Sequence, residues 1–331
     1  MDITGKNFIG DKLSGLGKVY YKTVNPFKNI ENKTHFVEAT YKELEEAVAL
    51  ADTAFPIYRE LSGTLRASFL YVIADEILNL GNALIDCYCR ETGLPEGRAL
   101  GERGRTIFQL QLFAKTIETE DWRKNITEAA IPGRTPVPKP SLCKTLLPLG
   151  PIAVFGASNF PLAYSTAGGD TASALAAGCP VIVKSHPMHS GTSSMISAAI
   201  IKAAEKTGMP NGVFSSLNSK SYQLSHELVK NPKIKAVGFT GSFSGGNGLN
   251  ESILKRSEPI PFFAEMGSIN PVAITSGALE KGTYQIAKKI ADSIVLGAGQ
   301  FCTQPGLLLT VDGDNTNKFI KELDKALKET D

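Results

Sequence analysis

The chain has 331 residues, 42% of them apolar, with 35 basic and 33 acidic side chains and a formal net charge of +2. That length holds about two domains, each with a core of its own. The apolar fraction excludes global disorder, and the balance of charge argues against nucleic acid or an acidic membrane as the main partner.

Read in chain order, the first third is helical. Tyr41 to Arg59 places Leu44, Ala47, Val48, Ala51 and Phe55 at helical spacing. Ser62 or Thr64 starts a second helix with Leu70, Ile73, Ile77 and Leu80 on one face. Gly93-Leu94-Pro95 breaks the pattern before a further helix from about Glu96 to Lys115. Residues 127–142 hold four prolines and read as an edge strand or an extended arm. From Pro148 short β-rich runs alternate with helical stretches. The strands are Ile152 to Phe155, Val181 to Lys184, Val213 to Leu217 and Ala236 to Thr240. The helices are Thr166 to Ala177, Thr192 to Thr207, Tyr222 to Lys230 and one from Ser242 to about Lys255. This alternation predicts an α/β domain with a parallel sheet, whose ligands bind beyond the carboxyl ends of the strands. Asn315 to Asp331 is a charged amphipathic helix.

No apolar run is long enough to span a membrane. The longest, Ala174 to Val183, is broken by Gly178 and Pro180. No basic flank precedes an apolar run at the N-terminus, so no signal peptide is visible. Cys87, Cys89, Cys143, Cys179 and Cys302 are an odd, scattered set, not a disulfide framework. They point to a reducing, cytoplasmic setting, in which a single thiol can serve as a nucleophile. Cys87-Tyr88-Cys89 and the His186, His189 pair lack partners at metal-ligand spacing, so no metal site is expected.

Residues able to do chemistry follow several of these strands. Gly156-Ala157-Ser158-Asn159-Phe160-Pro161 follows the first, where Asn159 is either a turn or capping asparagine or an amide donor to an oxyanion. Lys184 leaves the second strand, either solvated or bound to ribose or phosphate oxygens. Phe239-Thr240-Gly241-Ser242 follows the fourth, where small residues let backbone amides approach a phosphate. The Rossmann fingerprint of three spaced glycines is absent. Glu265 sits in an apolar run; if buried, its pKa would rise and it could act as a general base, the alternative being a salt bridge. Cys302, in Gly299-Gln300-Phe301-Cys302-Thr303, is either a nucleophile or an inert thiol.

Taken in order, these segments resemble the NAD(P)-dependent aldehyde dehydrogenase superfamily. The run Gly156 to Leu162, then Ala176-Ala177-Gly178-Cys179-Pro180-Val181-Ile182-Val183-Lys184, Phe239-Thr240-Gly241-Ser242, Glu265-Met266-Gly267, Asn270-Pro271 and Gly299-Gln300-Phe301-Cys302 carry the likeness. Phe155 to Pro161 and Ala167-Gly168-Gly169-Asp170-Thr171 look most like α-ketoglutaric semialdehyde (2,5-dioxopentanoate) dehydrogenases and bacterial NADP-dependent fatty aldehyde dehydrogenases. Common members have tryptophan and proline where this chain has Ser158 and Ser185.

The resemblance implies a Rossmann-like parallel-sheet cofactor domain and a partial second α/β catalytic domain. Residues 1–126 and 148–265 would bind NAD(P), 127–147 would form an oligomerisation arm, and 266–331 would open the catalytic domain. Cys302 would attack the aldehyde to give a thiohemiacetal, Asn159 and the Cys302 backbone amide would hold the oxyanion, and hydride would pass to the nicotinamide. Glu265 would then activate water to release the acid from the thioester. Lys184 would bind the adenosine ribose and Gly241 with Ser242 the pyrophosphate, with His186, Phe155 and Gly156 also at the cofactor. Arg105, Phe160 and Phe301 would face the substrate, Arg105 pairing with a substrate carboxylate or else lying on a solvated helix face.

NAD-preferring relatives often carry a glutamate three residues after the lysine. Here that position is Pro187, so NADP as well as NAD is expected to be used. The partner is a small aldehyde, and the family predicts a homodimer or homotetramer. The family's chains continue beyond residue 331, so the chain reads as C-terminally truncated. Two other readings follow: a nucleotide-binding fragment without turnover, and a cysteine-dependent acyl-transfer enzyme, against which Lys184 and the Thr240 turn argue. A fatty or other aldehyde is the alternative substrate.

Overall fold

The computed structural model describes residues 3–119 and 121–329. Two compact units divide the chain, Met1–Glu265 and Met266–Asp331.

The first unit opens with strands that have no clear signal in the sequence: β1 (Asn7–Ile9), β2 (Lys12–Ser14), β3 (Tyr20–Tyr21), β4 (Val24–Asn25), β5 (Ile30–Glu31) and β6 (Phe36–Val37). The reading of the first third as helical is therefore corrected for residues 7–37. Runs of two or three residues are too short to show an alternating period. Glu43 ties this segment to the helices. It closes a capping box with Thr40, and its Oε1 accepts from the Ser14 hydroxyl (2.6 Å) and the Leu16 N–H (3.1 Å).

Helices α1 (Tyr41–Tyr58), α2 (Gly63–Asn79), α3 (Gly81–Thr92) and α4 (Glu96–Ile117) follow. The Ser62 side chain caps α2. A hairpin of β7 (Ile126–Glu128) and β8 (Leu142–Lys144) occupies the proline-rich stretch. Then come β9 (Ile152–Phe155), α5 (Gly169–Ala177), β10 (Val181–Ser185), α6 (Ser190–Thr207), β11 (Phe214–Asn218), α7 (Tyr222–Lys230), β12 (Ala236–Thr240), α8 (Phe243–Leu254) and β13 (Phe262–Glu265).

The central sheet runs β13-β12-β9-β10-β11-β1-β2. It is parallel from β13 to β11, and β1 joins β11 antiparallel. From β9 the chain moves outward through β10 to β11, then returns past them to β12. Right-handed crossovers put α5 and α6 on one face and α7 and α8 on the other. The reversal leaves a crevice at the carboxyl ends of β9, β10 and β12, where open α/β sheets bind ligands. Leu70, Ile73, Ile77, Val154, Leu175, Val181 and Phe214 lie in the core between sheet and helices. Among the described residues no single helix is long and apolar enough to cross a membrane.

In the second unit β14 (Pro271–Ile274) and β15 (Leu307–Thr310) pair in parallel. Helices α9 (Ser276–Val295) and α10 (Asp314–Lys328) enclose a small core of Ile274, Leu279, Ala287, Ile290 and Phe319.

Candidate active site

The crevice at the strand ends of the first unit is a cavity of about 590 Å³. Phe155 and Gly156 from the end of β9, Lys184 and His186 from β10 and its turn, and Gly241 and Ser242 after β12 all line it. Six residues spread over 88 positions of sequence thus meet because three parallel strands end side by side. Lys220, Tyr222 and His226 complete the wall on the α7 side, and no aspartate or glutamate is among the residues that line it.

Ser242 is the N-cap of α8, its hydroxyl accepting from the Gly245 N–H (3.2 Å). The first turn of that helix lines the cavity, so a helix amino end with its partial positive charge faces the space. Gly156 permits a close chain approach: a Cβ there would lie 2.4 Å from Ser165 Oγ. Lys184 is half-buried, and burial pushes its ammonium down to about 8, with the Glu38 carboxylate opposing the shift. His189 is buried beneath. Its Nε2 lies 2.9 Å from the Ala157 carbonyl and its Nδ1 3.1 Å from Ser193 Oγ. Burial pushes both His189 and His186 down, so the two stacked rings are neutral at pH 7.

The loop of residues 156–168 carries Asn159, which is half-buried. Glu102 of α4 holds this loop. Its Oε1 accepts the N–H groups of Leu162 (2.8 Å) and Ala163 (3.0 Å), and its Oε2 accepts the Tyr88 hydroxyl (2.7 Å). Sequence reasoning missed Glu102, because a glutamate four residues after Arg98 on a helix reads as a solvated pair. Phe160 is buried, with the Arg98 guanidinium 4.4 Å from its ring centre, so it supports the loop from within. Arg105 is exposed; its guanidinium donates to the Tyr164 hydroxyl and lies over that ring.

Glu265 ends β13, and its carbonyl accepts the Gly241 N–H (3.0 Å), fixing the turn after β12. Its side chain is exposed, contrary to the expectation that its apolar run buries it. β13 is the edge strand, so its residues alternate between half-buried and exposed despite their apolar run.

Cys302 and Phe301 belong to the second unit. Cys302 is exposed and free, in a turn after the left-handed residues Gly297, Ala298 and Gly299. The Asn270 amide donates to the carbonyls of Cys302 (2.7 Å) and Gln304 (2.9 Å), which braces the segment bearing the thiol. The buried Cys87 is a contrast, its thiol pushed up to about 12 by burial and by Glu91.

The family model for the aldehyde dehydrogenase family matches residues 14–331. The chain belongs to the aldehyde dehydrogenase family. It is 47% identical over 320 residues to alpha-ketoglutaric semialdehyde dehydrogenase 2 of Azospirillum brasilense, covering 96% of this chain and 61% of that protein. It is 40% identical over 319 residues to alpha-ketoglutaric semialdehyde dehydrogenase of Acinetobacter baylyi, covering 96% of this chain and 60% of that protein. The chain thus spans about three fifths of the length of these curated relatives. The fold matches a Staphylococcus aureus betaine aldehyde dehydrogenase in complex with NAD+, with a TM-score of 0.85 at 18% identity over 99% of this chain and 62% of that one. An NADP-dependent enzyme of E. coli gives a TM-score of 0.82 at 22% identity, over 99% of this chain and 64% of that one.

Proposed function

We propose that this aldehyde dehydrogenase chain serves the NADP- or NAD-dependent oxidation of a carboxylated aldehyde, α-ketoglutaric semialdehyde, to its acid. The observation that carries the reading is the cavity at the β9, β10 and β12 ends, which gathers Lys184, Ser242 and the first turn of α8 without an acidic wall residue. These donors suit a dinucleotide: the helix amino end and backbone amides meet a pyrophosphate, and Lys184 meets ribose oxygens. The sequence likeness to two α-ketoglutaric semialdehyde dehydrogenases supports the substrate.

The bound nicotinamide supplies the hydride acceptor for the oxidation. The Cys302 thiolate forms the C–S bond to the aldehyde carbon, and the carbonyl oxygen becomes an oxyanion to which the Asn159 amide donates. At the thioester stage the Glu265 carboxylate takes a proton from water, whose oxygen adds to the carbonyl carbon. The C–S bond then breaks, giving the acid and the Cys302 thiolate.

Pro187 stands where an acid would repel a 2′-phosphate, so comparable efficiency with NADP and NAD is expected. Lys184 binds through its ammonium form. Because burial lowers its pKa to about 8, the free protein holds that proton below pH 8 and loses it above. The Kd for NADP therefore rises between pH 8 and 9.5, approaching tenfold per unit, and Lys184→Met flattens the dependence. A flat profile for the unmodified protein contradicts this role.

Initial rates of reduced-nicotinamide formation with α-ketoglutaric semialdehyde and with an alkanal of similar length test the substrate. Arg105→Ala is expected to raise KM for the semialdehyde about tenfold or more and to leave the alkanal nearly unchanged. Equal effects on both refute the pairing, and cofactor binding without any turnover refutes the dehydrogenase reading for this chain.

A further inference from the structure

Asp170 is a half-buried carboxyl that the reaction above does not use. It stands in the first turn of α5 and packs against the end of β12. A Cβ built on Gly238 would lie 3.0 Å from its Cβ and Cγ and 3.1 Å from its Oδ2. The Thr240 side chain acts on it in the direction that favours the ionised carboxylate. Gly238 and Thr240 are two apart on one strand, so they share a face of the sheet. Thr240 is in turn the register partner of Glu265 in the parallel β12–β13 pair, which puts the Glu265 side chain on that same face. Asp170, Thr240 and Glu265 thus form a row at the carboxyl edge of the sheet.

The other charged groups on the elements packed against α5 include Arg66, Arg98, Glu102, Arg103, Arg105 and Lys184, and none of them is among the charges that act on Asp170. Arg66 of α2 lies at the far end of α5 beside Gly178. Arg105 of α4 donates to Tyr164. Lys184 of β10 has Glu38 as its charged neighbour. β9 carries no charge. The charge that acts on Asp170 is that of Glu265: burial first, and then this carboxylate, raise the Asp170 pKa against the Thr240 side chain.

We propose that Asp170 is a positioning residue for the water-activating step, forming with Glu265 one coupled acid–base pair that takes up the proton drawn from water. Two carboxylates on one row bind a first proton more readily than either alone, because protonation relieves their repulsion. The proton that leaves water enters the pair, hydroxide adds to the thioester carbon, and the pair later gives the proton to solvent. Asp170 touches neither substrate nor cofactor and acts through Glu265. The inference rests on the role proposed for Glu265.

The pair is tested by following the Asp170 side-chain carboxyl by carbon NMR across pH in the 331-residue protein, in Glu265→Gln and in Thr240→Val. Asp170 is expected to titrate above the ordinary aspartate value of about 3.9. It should move down by about half a pH unit or more in Glu265→Gln and up in Thr240→Val. A midpoint at the ordinary value, or one unmoved by Glu265→Gln, overturns the proposal. In steady state, Asp170→Asn should lower kcat, shift the acid limb of its pH profile and leave KM for the cofactor unchanged. An unmoved limb overturns the positioning role even if the carboxyls are coupled. If the unmodified protein reduces no nicotinamide with any aldehyde, the functional reading fails, and the titration still decides the pairing.

Discussion

Replacing Cys302 by serine is expected to cut aldehyde-dependent formation of reduced nicotinamide on the order of 10³-fold or more. The affinity for NADP should stay unchanged. The first effect follows from chemistry: sulfur is intrinsically far more nucleophilic than a hydroxyl oxygen, and a serine hydroxyl needs an added base to attack. The second follows from the division of labour in the chain. The residues that line the strand-end cavity lie in Met1–Glu265, and Cys302 lies in the other unit. Cys143 is the second exposed thiol and serves as the internal control, with Cys143→Ser expected to leave turnover intact. Absorbance at the reduced-nicotinamide band, with cofactor binding followed by calorimetry, reads both. Turnover that survives Cys302→Ser would remove this thiol from the reaction.

The largest loss of stability is expected at Glu102. It is 3% exposed and serves three donors, the N–H groups of Leu162 and Ala163 and the hydroxyl of Tyr88. Arg98 stands 3.5 Å away as its counter-charge. Glu102→Ala leaves three buried donors without their acceptor and takes a counter-charge from Arg98. At about 1–3 kcal/mol for each unsatisfied group, partly relieved by water, the loss should be about 3–5 kcal/mol in urea unfolding. Glu102→Gln keeps one acceptor oxygen and should lose about half as much. Hydrogen exchange at residues 156–168 should rise in both variants, because their support comes from α4. A loss below about 1 kcal/mol in Glu102→Ala would show that the loop is held by other contacts.

The contrast between Lys184 and Glu102 marks what could be read in advance. The strand–helix alternation after Pro148 is strong because each strand is a short apolar run bounded by turn residues. β12 and α7 fall on the predicted residues, Ala236–Thr240 and Tyr222–Lys230. Once the strands are known to be parallel and adjacent, residues just after them must meet, and Phe155, Gly156, Lys184, His186, Gly241 and Ser242 do. Glu102 could not be found that way, since its acceptors serve backbone groups some sixty positions further along. The break between α2 and α3 was equally hidden. The axes turn by 76° at Leu80–Gly81, where Gly81 takes a left-handed conformation between Asn79 and Asn82, a turn signal that the apolar spacing on either side masks. The strands of residues 7–37 owe their place to long-range pairing, with Phe8 opposite Ser216 in the register of β1 and β11. Glu265 failed a different inference: an apolar run on an edge strand buries only alternate residues.

The proposed reaction acylates Cys302 during an aldehyde oxidation that needs a nicotinamide. It is tested most directly by acid-quenching the 331-residue protein after brief mixing with α-ketoglutaric semialdehyde and NADP, and weighing its peptides by mass spectrometry. An acyl thioester is expected on the peptide holding Cys302, present only when aldehyde and cofactor are both supplied. An adduct on another cysteine, an adduct that forms equally without cofactor, or none at all would contradict it.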